Sequence, residues 1–146
     1  MNEFFDNIYT LLQASGVPAN KDTPTVLSGH SGAYVQLGRI GDWVEQGELT
    51  QLSHLRGLGL FDSAYGFRWG LIYLMQEMRK NHRSMFFSAY NSEASNGPVN
   101  VEIESKLSPS ESSEGHPDLD FIKDPKSEHM SFMRKYMTTF YSQSLL

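Results

Sequence analysis

Ser31 stands in Gly29-His30-Ser31-Gly32-Ala33, which approximates a Gly-x-Ser-x-Gly pattern with alanine in the last place. The chemistry such a run serves is nucleophilic: a serine hydroxyl attacks once a neighbouring imidazole takes its proton. Asp62 and His129 supply the carboxylate and the imidazole, in the chain order Ser…Asp…His. The carboxylate would orient the ring and stabilise its charged form. Gly29, His30 and Gly32 make the elbow itself, where small residues let a serine sit in a sharp bend between a strand and a returning helix. Amides following the serine then open a helix, and a developing oxyanion is stabilised there.

Each of these residues also has an ordinary use. Ser31 would cap the following helix, and Asp62 would cap one beginning near residues 63–67. His129, in Glu128-His129-Met130, would be an exposed histidine in a charged segment. Asn91, Ser92 and Glu93 follow an apolar run and are alternative acid or substrate-contacting positions. Tyr34, Tyr65 and Asn91 are candidates to line a substrate pocket, as is Trp69, with core or rim packing expected for two of the three aromatic residues. His30 is expected to pack or hydrogen-bond at the turn. The segment from His116 through Asp118 to Asp120 has metal-ligating types, but one histidine in a proline-broken loop is a poor ligand set. No metal and no cofactor is expected.

The elements that must position these residues alternate along the chain. Apolar spacing predicts helices over residues 2–14, 34–43, 68–81 and 130–141. Short runs rich in β-formers predict strands over residues 24–28, 58–61, 84–90 and 119–122. Residues 92–118 read as a polar loop, with one or two helical turns over 101–107; its serine run, 108–113, is a candidate lid. Met130, Met133 and Met137 fall at helical spacing and are expected in the core. Strands alternating with helices argue for an α/β fold: a parallel sheet of about four strands between helices on both faces. Right-handed crossovers would bring all strand ends to one edge. Ser31, Asp62, Asn91 and His129 would then meet there although they are far apart in sequence.

Composition narrows the function classes. The 146 residues, 39% hydrophobic and 20% charged, suit a single folded domain over 1–146. The absence of cysteine removes disulfides, thiolate metal sites and a cysteine nucleophile. A net charge of −5 with scattered basic residues argues against nucleic acid. No stretch approaches the roughly 20 apolar residues of a membrane span. The acidic, amphipathic start reads as structure rather than as a signal peptide, and a cytoplasmic setting is expected.

Leu27-Ser28-Gly29-His30-Ser31-Gly32-Ala33-Tyr34, followed by Leu60-Phe61-Asp62-Ser63-Ala64-Tyr65-Gly66, resembles a group of bacterial α/β-hydrolase-like proteins. These carry "SGHSGAY", a "LLDALYG"-type strand end and a later histidine before the last helix. The likeness runs from about Pro24 to the C-terminus and implies the C-terminal half of a serine-hydrolase fold. It implies hydrolysis of an ester or amide in a small-molecule or peptide-like substrate, through Ser31, Asp62 and His129. A complete fold of that kind has several strands before the elbow, one of whose loops gives a second oxyanion donor. Here some two dozen residues precede it, so the N-terminal half of the sheet is expected to be missing, to be truncated, or to come from a second chain or another copy. The alternative is a non-catalytic α/β half-domain that pairs with another chain.

Overall fold

The structure, a computed structural model, describes residues 3–50, 52–66, 68–81, 84–108 and 119–144. Helix α1 (Glu3–Ala14) leads to strand β1 (Thr25–His30), a 3-10 turn (Ser31–Ala33) and α2 (Tyr34–Glu45). Strand β2 (Leu55–Phe61), α3 (Arg68–Asn81), β3 (Met85–Tyr90), α4 (Gly97–Leu107) and β4 (Leu119–Lys123) follow. A second 3-10 turn (His129–Ser131) opens the last helix, α5 (Phe132–Ser144). The strands lie in the order β1-β2-β3-β4, and all three pairings are parallel. The expected three-layer α/β architecture is the one the chain forms.

Side chains alternate across a strand, so each strand feeds two cores. Leu58 and Leu60 of β2 and Phe86 of β3 join Phe5 and Tyr9 of α1, Leu71, Leu74, Met75 and Met78 of α3, and Ile103 and Leu107 of α4. Phe61, Met85, Phe87 and Ala89 face the other way, onto Phe132 and Phe140 of α5. Helix α5 therefore covers one face, while α1 to α4 belong to the other. Gly59 lies under Phe140: an added Cβ there would sit 2.8 Å from the ring. Helices α2 and α3 meet still more closely, since a Cβ on Gly41 would lie 1.9 Å from the Gly70 carbonyl oxygen.

Several elements depart from the sequence reading. Strand β1 runs on to His30 rather than ending at Ser28, and β2 begins at Leu55. Arg56 and Gly57 interrupt the apolar run and hide that start. The stretch expected as a polar loop contains a full helix, α4, with Pro98 in its first turn, where proline's missing N–H costs nothing. Its inner face mixes Asn100 with Ile103 and Leu107, all buried. Residues 109–118, with His116 and most of the serine run, lie outside the described residues. Met130 is 77% exposed and Met133 38%, so neither is core. The buried side of α5 is instead the Phe132, Phe140 and Ser144 line, with Tyr136, Met137 and Tyr141 packed beside it. Among the described residues, no helix is long and apolar enough to cross a membrane.

Candidate active site

Strand β1 delivers His30 in extended conformation (φ −119°, ψ 145°), and at Ser31 φ turns to 55°. That left-handed geometry costs a residue with a Cβ about 1 kcal/mol. The chain reverses within this one residue and enters the 3-10 turn that leads into α2. The reversal explains the small neighbours. A Cβ on Gly29 would lie 2.6 Å from the Ala33 Cβ and 3.0 Å from Leu37 Cδ1. Gly32 faces open space, and its amide is among the first of a helical start, which lack intrahelical partners. The Ser63 hydroxyl donates to the Ser31 carbonyl at 2.7 Å, tying the elbow to the end of β2.

Asp62 follows β2 with φ 44° and is 3% exposed. Its amide donates to the Ala89 carbonyl at 2.7 Å, which fixes the bend against β3. Its Oδ2 accepts from His129 Nδ1. Its Oδ1 accepts from the Asn91 amide at 3.1 Å and from Asn96 Nδ2 at 2.8 Å. Burial alone would push this carboxyl's pKa up. The hydrogen bonds from His129, Asn96 and Asn91 outweigh burial and hold it below the usual carboxylate range. The carboxylate is thus engaged with His129 and the start of α4, not with the first turn of α3.

His129 opens the turn before α5, and its side chain is 39% exposed. A carboxylate only accepts, so Nδ1 carries the proton in this pair and Nε2 is left as the basic nitrogen. His30 Nε2–H donates to the His129 carbonyl at 2.8 Å, and the two rings lie 4.4 Å apart at 33°. The loop bringing His129 from β4 is anchored by Asp124, which accepts from the Lys126 and Ser127 amides at 3.2 and 3.0 Å. Asp124 also accepts from Ser127 Oγ, Lys135 Nζ and Tyr136 Oη, each at 2.5 Å. Led by Lys135, these donors hold its pKa far below the usual range. Among the described residues, no hydrogen bond joins the Ser31 hydroxyl to His129.

Comparison with protein-family models, curated proteins and solved structures returns no match.

The other sequence candidates sort by what they touch. Tyr34 and Tyr65, both half-buried, pair their rings 5.9 Å apart, and Tyr34 also lies over Gly66. Burial and the nearby Asp62 charge push the Tyr65 phenol's pKa up. Asn91 directs its amide to Asp62, while its side-chain oxygen accepts the Glu93 amide at 2.9 Å. It thus supports the acid and shapes the turn. Ser92 and Glu93 are exposed. Trp69 is 58% exposed on α3, with the cations of Arg68 and Lys106 5.8 and 5.9 Å from its ring centroid. Among the described residues, no group of three His, Asp or Glu side chains is placed to hold a metal.

Sequence reasoning missed Asn96 and Asn100, both fully buried. Asn100 accepts from Ser88 Oγ at 2.5 Å and donates to the Asn96 carbonyl at 2.8 Å. Asn96 spends its amide on Asp62 and, at 3.3 Å, on the Ser63 carbonyl. The signal available was their four-residue spacing, which puts both on one helix face.

Proposed function

We propose that the protein is a serine hydrolase that cleaves an ester or amide through an acyl-enzyme. The observation carrying this reading is the hydrogen bond from His129 Nδ1 to Asp62, with the His129 carbonyl held by His30, the residue that precedes a serine in a left-handed elbow. The serine and the carboxylate follow β1 and β2 directly, and the imidazole comes from the turn between β4 and α5.

In this reading His129 Nε2 takes the Ser31 proton as Oγ bonds to the substrate carbonyl carbon. The carbonyl electron pair moves onto oxygen, near the Gly32 amide at the start of the helical turn. Collapse breaks the bond to the leaving group, which takes the proton from His129 and departs. Water then attacks the acyl carbon, gives a proton to His129 and releases the acid. Ser31 Oγ regains its proton in that last step. Asp62 holds the ring tautomer throughout and stabilises the imidazolium. Tyr34 and Tyr65 would line the entrance.

A fluorophosphonate probe tests the proposal. Covalent labelling of the native protein, abolished in Ser31→Ala, is the expected result; a folded native protein that never labels sinks it. A second reading, a non-catalytic module completing its sheet with another chain, is favoured by two observations. Strand β1 lies at the edge of the sheet, and the hydroxyl–imidazole bond is not made. Failure to label, together with self-association or capture of a purified partner chain, would support it.

A further inference from the structure

We propose that His30 is a positioning residue for the base, clamping His129 by its main-chain carbonyl and by one face of its ring. The inference rests on the hydrolase reading and deepens it. A single hydrogen bond to Asp62 restrains one vertex of the imidazole and leaves the ring able to swing about that contact. Two further restraints come from His30. Its Nε2–H donates to the His129 carbonyl at 2.8 Å, at the first residue of the 3-10 turn. Its ring lies against the His129 ring, 4.4 Å away and tilted by 33°.

The chemistry of this contact is directional. A carbonyl carries no proton, so His30 must donate from Nε2. The clamp therefore needs a side chain long enough to reach across from β1, with a donor at its tip. His30 is also covalently joined to Ser31. The distance between nucleophile and base is thereby set partly by β1 itself, not only by the loop that carries His129. Since His30 is half-buried at the rim, replacing it leaves both cores intact.

Two variants separate the restraints. His30→Phe keeps an aromatic face and loses the donor, whereas His30→Gln keeps an N–H at similar reach. With p-nitrophenyl acetate as substrate, His30→Phe is expected to lower kcat on the order of tenfold with KM little changed. His30→Gln should recover most of that loss. The proton on His129 Nδ1 gives an independent readout: its downfield NMR signal should broaden in His30→Phe and persist in His30→Gln. Native turnover and a sharp signal in His30→Phe overturn the clamp. If the native protein neither labels nor turns over, the hydrolase reading fails instead, and the NMR comparison still decides whether His30 holds the ring.

Discussion

Two buried aspartates follow strands on the same edge of the sheet, and they are used in opposite ways. Asp124, after β4, is surrounded by donors: two amides, a serine, a tyrosine and the Lys135 ammonium. Asp62, after β2, receives two amide-type donors on one oxygen and the imidazole on the other, with the Tyr65 phenol also hydrogen-bonded to it. One carboxylate is saturated and neutralised by a fixed cation. The other is desolvated, held ionised, and given a partner that can change its charge. Both sit on the same architecture and both are depressed in pKa, so a perturbed carboxylate alone does not mark a site. What distinguishes Asp62 is its partner, a part-exposed imidazole whose main-chain carbonyl is held by the residue before Ser31.

The sharpest way to break this contrast is to neutralise each acid in turn. Asp62→Asn should lower ester turnover on the order of 10,000-fold, because the imidazole loses its correct tautomer, while circular dichroism stays native. Asp124→Ala should do the reverse. It should cost about 2 kcal/mol of stability in urea unfolding and leave turnover within an order of magnitude. Comparable rate losses in the two variants would erase the distinction.

Acid titration sharpens it further. Both carboxyls have folded pKa values below their unfolded ones. Their contribution is therefore fully present above the unfolded value, about 3.9, and is lost as pH falls below it towards the folded one. The stability gap between the native protein and Asp124→Ala should hold steady from pH 7 down to about 5 and narrow by pH 3. A gap that widens on acidification contradicts the assignment. The smallest effect is expected from Lys135→Gln. That ammonium is half-exposed and the other donors to Asp124 remain, so the midpoint should move less than in Asp124→Ala.

The sequence was most legible where local pattern and tertiary need coincide. Gly29 and Ala33 are small because the elbow crowds them, so strand, turn and helix could all be read from that one run. Asp62 and His129 were readable from chain order and from their places after apolar segments. Helix α4 was not, because Asn96 at its N-cap and Asn100 on its buried face find their partners after β2 and on β3. Those asparagines look like loop residues until Asp62, Ser63 and Ser88 are brought beside them. Met130 and Met133 misled for a related reason. Helix α5 has more apolar residues than its sheet-facing side accommodates, and aromatic rings rather than sulfur fill that side.

The close approach of Gly41 to the Gly70 carbonyl has a mechanical consequence. The helices that follow Ser31 and Asp62 are packed backbone to backbone, so these two residues ride on one stiff block. His129 reaches the same rim from the helix on the opposite layer. Any change in the gap between hydroxyl and ring must then come from that side, as in a vice with one fixed jaw and one adjustable jaw.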